Sequence, residues 1–228
     1  FTNGFDAGAS VGYRPDMYAK NGRGTLVNHL IIGLGGTGGK TLAAIRRLIL
    51  QQYHEVEPTE LALNYLYVDT SAEDVRIANI TAPLTEGDLT WRTRGRSVQL
   101  SPSQIVHLAQ GNFAAVVENP EDYEGFNGWL GDTGLWRAIW NSAPNGIEAG
   151  GQLRRFGRYL LAQNIGTFRN ALVGALNQRR QDGAADANWT FHVIAGLAGG
   201  TGSGTLIDVL GQIRDIQLGL QARLVAYV

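Results

Sequence analysis

The stretch Ala195-Gly196-Leu197-Ala198-Gly199-Gly200-Thr201-Gly202-Ser203-Gly204-Thr205 constrains the fold more than any other part of the chain. Trp189-Thr190-Phe191-His192-Val193-Ile194 precedes it, short, β-branched and aromatic, and reads as a buried strand. Leu206, Ile207, Val209, Leu210 and Ile213 follow at helical spacing. The glycines are therefore expected to fill a strand-to-helix turn. Such a turn collects backbone N–H groups at the positive end of a helix, where an anion is stabilised. Glycine accepts positive φ there and lets the backbone approach a phosphate without an intervening Cβ. The Thr201 and Ser203 hydroxyls can bond phosphate oxygens or cap the helix.

A second unit of the same kind opens the fold. Val27-Asn28-His29-Leu30-Ile31-Ile32 reads as a strand and runs into Gly33-Leu34-Gly35-Gly36-Thr37-Gly38-Gly39-Lys40-Thr41. Leu42, Ile45, Leu48 and Ile49 then share a helical face, with Arg46 and Arg47 off it. Gly33, Gly35 and Gly38 satisfy the G-x-G-x-x-G dinucleotide fingerprint. Gly39-Lys40-Thr41 suggests a P-loop, but that pattern needs glycine where Leu34 stands, so the spacing fails by one residue. A tight turn with a solvated Lys40 is the structural alternative.

Leu61-Ala62-Leu63-Asn64-Tyr65-Leu66-Tyr67-Val68 reads as the next strand and ends in Asp69-Thr70-Ser71. An acid in that place suits a ribose contact. Ser71 with Asp74 three residues on suits a capping box. Residues 81–132, broken by Pro83, Pro102 and Pro120, read as a surface insertion, with an extended segment near residues 98–100 and a short helix over residues 104–117 interrupted by Gly111. Trp129, Trp136 and Trp140 read as packing residues, the last two on one helical face. Gly146, Gly150 and Gly151 then lead through Gln152 into one long helix with Phe156, Leu160, Ile165, Phe168, Leu172 and Leu176 on its apolar face. Arg154 and Arg155 sit at the start of that helix, where the dipole disfavours cations unless an anion is near, which supports phosphate contact; solvated arginines are the alternative.

Ala198-Gly199-Gly200-Thr201-Gly202-Ser203-Gly204 resembles the Gly-Gly-Gly-Thr-Gly-(Ser/Thr)-Gly signature of the tubulin and FtsZ superfamily, with Ala198 for the first glycine. The resemblance implies that this loop wraps the phosphates of GTP. Gly35, Gly36, Thr37, Gly38, Gly39 and Lys40 are similar to the first glycine loop of FtsZ, with Lys40 where FtsZ has Asn. Asp69 and Thr70 fall where FtsZ reads Asn-Thr-Asp-Ala beside the nucleotide. Gly150, Gly151, Gln152 and Arg154 occupy the place of the loop facing the terminal phosphate, without its Asn-Pro-Glu. The implied fold is α/β, a Rossmann-like three-layer domain with a mostly parallel sheet, of the tubulin/FtsZ N-terminal GTPase type. It would span residues 25–228 after an irregular arm at residues 1–24.

The implied activity is GTP binding with filament or oligomer assembly, similar to large bacterial tubulin-like proteins. Hydrolysis would be completed by acidic residues of a neighbouring subunit. In the family those acids, and the guanine-reading residues, lie beyond the terminal strand, so no catalytic residue or metal ligand is assigned here. GTP or GDP with Mg2+ are the implied ligands, and a chain stopping on a strand reads as part of a longer protein. Two other readings stand: an NAD- or FAD-binding oxidoreductase domain using Gly33, Gly35, Gly38 and Asp69, and a non-hydrolysing scaffold, suggested by Ala198 and Lys40.

Composition narrows the field. A net charge of −1 over 228 residues argues against nucleic-acid or membrane binding through bulk charge. The absence of cysteine removes disulfides, thiolate metal sites and cysteine nucleophiles. No apolar run reaches membrane-span length, and residues 1–24 lack the apolar core of a signal peptide, so a cytoplasmic location is expected. The 31 glycines cluster instead of repeating with a period, which argues against collagen-like or linker character.

Overall fold

The structure, a computed structural model, describes residues 27–55, 57–58, 61–78, 92–93, 96–97, 100–108, 113–119, 153–181, 188–216 and 222–228, with Trp129, Gly134, Leu135 and Ala138 between them. The arm at residues 1–24, Trp136, Trp140 and Gly150, Gly151 and Gln152 lie outside the described residues.

In chain order the elements are β1 (Asn28–Leu34), α1 (Gly35–Tyr53), β2 (Leu63–Asp69), α2 (Ala72–Ala78), β3 (Arg92–Thr93), β4 (Arg96–Ser97), β5 (Ile105–His107), α3 (Phe113–Glu118), α4 (Arg154–Gln163), α5 (Ile165–Gln181), β6 (Trp189–Ala195), α6 (Gly200–Ile216) and β7 (Ala222–Tyr227). Among the described residues, five strands form one sheet in the order β5-β2-β1-β6-β7, and every pair in it is parallel. β3 and β4 form a separate antiparallel pair. This is the α/β Rossmann-like architecture that the sequence implies.

The alternation of side chains along the strands divides the core in two. Leu30, Ile32 and Leu34 of β1, Leu66 and Val68 of β2, and Phe191 and Val193 of β6 face Phe156 and Leu160 of α4, Phe168 and Leu172 of α5, and Val209 and Ile213 of α6. Ile31, Tyr65, Tyr67 and Ile194 point the other way, against Leu42, Ala43 and Leu50 of α1. Strands buried on both faces read as the near-continuous apolar runs seen in the sequence.

Several expectations change. The glycines lie only partly in turns: β1 passes straight into α1, and Gly200, Gly202 and Gly204 lie inside α6, while Gly196 and Gly199 fall in the turn between β6 and α6. Gly35, at φ 68°, makes the abrupt entry into α1, a conformation that costs glycine little. On α1, Leu48 is 64% exposed while Arg46 is only 4% exposed. The Arg46 guanidinium stacks 4.5 Å from the Tyr65 ring centre and pairs with Glu57 at 3.0 Å. The stretch 104–117 is not one helix. A single turn over Pro102–Gln104 leads into β5, the edge strand, and α3 follows. Leu108 and Val116 lie in the core, so this part of the expected surface insertion is built into the domain. The single long helix is two, broken at Asn164, where the backbone leaves helical geometry at φ −106° and ψ 18°. Ser71 caps α2 as expected, its Oγ accepting from the Asp74 N–H at 3.2 Å.

Candidate functional site

The strand order reverses direction between β1 and β6, since β2 and β5 lie on one side and β7 on the other. In open parallel sheets ligands bind at that reversal, beyond the carboxyl ends of the strands. The helices that leave these two strands, α1 and α6, are the two glycine-rich ones. Their starts abut: a Cβ on Gly35 would lie 3.0 Å from the Gly202 nitrogen, and one on Gly196 would lie 2.5 Å from the Thr37 hydroxyl.

The glycines divide by what surrounds them. A Cβ on Gly38 would meet the Gly33 backbone at 2.6 Å and the Ile194 carbonyl at 2.8 Å, and one on Gly39 would strike the Tyr67 ring at 2.7 Å. On α6, a Cβ on Gly202 would crowd the Leu34 and Gly196 carbonyls, and one on Gly204 would lie 2.2 Å from the Arg154 carbonyl. Gly157 of α4 meets the Gly200 carbonyl in the same way. These positions need glycine so that α1, α4 and α6 can pack closely. Gly36 and Gly199 differ. A Cβ on Gly36 would approach only Asp74 Oδ2, at 3.8 Å, and none lies within 4 Å at Gly199. Gly36, Thr37, Lys40, Ala198 and Gly199 present the accessible rim of the two helix starts.

Neither start satisfies its own donors with an acid. Leu34 caps α1 and provides no side-chain acceptor, and no acidic residue lies in the first turn of α1 or α6. Leu153 likewise leaves α4 uncapped, with Arg154 and Arg155 in its first turn. The first backbone N–H groups of a helix need an outside acceptor, so the arrangement is suited to an anion. Arg154 reaches across and donates from Nη2 to the Leu197 carbonyl at 3.1 Å, joining α4 to the turn before α6. Arg158 behind it pairs with Asp208 at 2.8 Å and lies 4.7 Å over the Trp129 ring.

Asp69, at the end of β2, is 2% exposed. Its carboxylate accepts from the Tyr67 hydroxyl, the Thr70 N–H at 2.7 Å, the Ser71 N–H at 3.2 Å and the Thr201 hydroxyl at 3.2 Å. Thr70 and Thr201 hydroxyls lie 2.7 Å apart. Burial pushes the Asp69 carboxyl up from its ordinary range, against the opposing pull of the Tyr67, Ser71 and Thr70 hydrogen bonds. Burial first, and then the Asp69 charge, push the Tyr67 phenol up as well. The Ser203 hydroxyl donates to the Gly199 carbonyl.

A family model described as tubulin like matches residues 30–228. The chain belongs to the tubulin-like family. No curated protein matches it. Among the described residues of this tubulin-like domain, no helix is long and apolar enough to cross a membrane.

Of the residues singled out in the sequence, the fold brings Gly35 to Lys40, Asp69, Thr70 and Ala198 to Gly204 to one end of the sheet, with Arg154 tied to the same turn. Tyr67 was not singled out. Its signal is the two-residue period of a strand, which places it on the same face as Asp69.

Proposed function

We propose that this tubulin-like domain binds GTP or GDP at the junction of α1 and α6 and assembles with copies of itself into filaments or oligomers. The observation that carries the reading is the pair of abutting helix starts, uncapped by acids, at the strand-order reversal. Backbone N–H groups of Gly36, Thr37, Gly199 and Gly200 would hold the phosphates, with Lys40 and Arg154 as nearby cations. The packing glycines hold the two helices at the spacing this needs. Asp69 would position Thr201 without itself meeting the ligand, because its oxygens already accept four donors. That arrangement favours a mononucleotide over a dinucleotide whose ribose requires a free carboxylate. Mg2+ would ride on the phosphates and neutralise part of their charge.

Hydrolysis in this reading is completed by acidic residues of a neighbouring subunit, so turnover by dilute protein should be weak. The test is to denature the purified protein and identify released nucleotide by chromatography, then to titrate the stripped protein with GTP and Mg2+. Released or saturably bound guanine nucleotide supports the proposal. Released NAD or FAD overturns it. No nucleotide and no saturable binding also overturn it and leave a nucleotide-free scaffold. Robust turnover at low protein concentration would refute the shared-site mechanism alone.

A further inference from the structure

Three polar rings cross the α1 face of the sheet in a diagonal row. His29 lies on β1, His192 on β6 and Tyr227 on β7. In register His192 is opposite Ile31, and Tyr227 is opposite Ile194, so each step crosses one strand and advances two residues. Strand twist brings such diagonal neighbours together. The ring centres are 5.3 Å apart for His29 and His192 and 5.9 Å apart for His192 and Tyr227. His29 Nδ1 lies 3.0 Å from His192 Nε2, and His192 Nδ1 lies 3.0 Å from the Tyr227 hydroxyl. The row borders a pocket of about 480 Å³ with otherwise mostly apolar walls, among them Ile31, Ile45, Ile49 and Leu63.

Two imidazole nitrogens in hydrogen-bond contact at 3.0 Å share a proton, and with that proton displaced they can share a metal ion. When the Tyr227 oxygen accepts from His192 Nδ1–H, the Nε2 lone pair faces His29. An oxygen partner on the far nitrogen is the arrangement that fixes the tautomer of metal-binding histidines. With metal–nitrogen bonds of about 2.0–2.1 Å, two nitrogens 3.0 Å apart subtend about 90–100° at the ion. That is the angle between adjacent ligands in tetragonal and octahedral sites, and an opening of a few tenths of an ångström reaches the tetrahedral angle.

We propose that His29 and His192 form a two-histidine clamp for a late divalent transition metal, Cu2+, Ni2+ or Zn2+, whose remaining coordination positions open into the pocket. Among the described residues no group of three or more acidic, histidine or cysteine side chains could hold an ion, so water from the pocket completes the coordination. The clamp sits near the start of β1, roughly 15 Å along the strand from the glycine-rich helix starts, and is independent of the nucleotide reading.

Titrating the protein with Zn2+ while following the imidazole ¹H–¹⁵N correlations of its four histidines tests the clamp. The expected result is one ion per chain, with His29 and His192 shifting together and His54 and His107 unmoved. Tyr227→Phe keeps the ring and removes the oxygen, and should weaken binding about tenfold. His192→Gln should weaken it further, with the melting temperature of the metal-free variant checked alongside. With Cu2+, the electron paramagnetic resonance spectrum should show coupling to two ring nitrogens. Absence of saturable binding up to millimolar Zn2+, shifts confined to His54 and His107, or unchanged binding in both variants would overturn the proposal.

Discussion

The Thr201 hydroxyl, in the glycine-rich start of α6, donates to the buried carboxylate of Asp69 at the end of β2, 3.2 Å away and 132 residues earlier in the chain. The bond ties the helix that follows β6 to the end of β2, although β1 lies between β2 and β6 in the sheet. The Tyr67 hydroxyl fixes the other oxygen of that carboxylate. The start of α6 is therefore held from below by a network buried among β2 and α1 residues.

Thr201→Val keeps the side-chain shape and removes the hydroxyl. A buried hydrogen bond to a charged group contributes about 1.5–3 kcal/mol, and its loss leaves Asp69 with one donor fewer. Denaturant titration should show the variant destabilised by about 2 kcal/mol. Tyr67→Phe should destabilise by a similar amount. If the network positions the α6 start for a nucleotide, both variants should also lose guanine-nucleotide affinity at temperatures where they remain folded.

The strand and helix order was legible because each buried strand is a short apolar run and each glycine stretch follows one directly. The role of the glycines was only half legible. A sequence shows that Gly38, Gly202 and Gly204 lack side chains, but not that the backbone of another element lies within 3.0 Å of each missing Cβ. Arg46 misled for a related reason. Its period places it off the apolar stripe, yet a guanidinium can stack on Tyr65 and reach Glu57 with its tip. The segment 104–117 was hidden because three residues suffice for β5, too few to display an alternation.

Replacing Arg46 should cost more than an exposed charge would. Arg46→Ala removes the stack on Tyr65 and leaves a void where a side chain is 4% exposed, while Glu57, on the rim, regains water. We expect a loss of about 2 kcal/mol in chemical denaturation. Arg46→Met, which refills the stem volume over the ring, should recover at least half of it.

Acid should weaken the fold through the histidine row. An unfolded histidine protonates near pH 6.5, whereas burial, with the neighbouring His29 and Arg223 charges, lowers His192 to about 4. The unfolded chain thus takes up the proton first. The contribution of His192 is intact above pH 6.5 and declines as the pH falls toward 4, by about 2 kcal/mol after allowance for partial solvent access. Asp69 works in the opposite sense, because its carboxyl is pushed up and its neutral form is favoured. Melting temperatures between pH 7.5 and 4.5 should therefore fall for the parent and fall less for His192→Gln. An equal slope in both proteins would remove His192 as the cause.

Two glycine substitutions separate packing from ligand approach. Gly204→Ala puts a methyl group 2.2 Å from the Arg154 carbonyl. Backbone must move to admit it, so the variant should lose about 1–3 kcal/mol or fail to accumulate. Gly199→Ala meets nothing within 4 Å, and Gly199 is not among the positive-φ residues, so its melting temperature should match or slightly exceed the parent's. The Gly199 methyl would nevertheless stand on the accessible rim where the nucleotide phosphates are proposed to lie. Guanine-nucleotide affinity should drop at least tenfold in Gly199→Ala with stability intact, which calorimetric titration and thermal melting measure on one sample. Parental affinity in Gly199→Ala would mean that the turn before α6 does not approach the ligand, and that its glycines serve the contact between α4 and α6 alone.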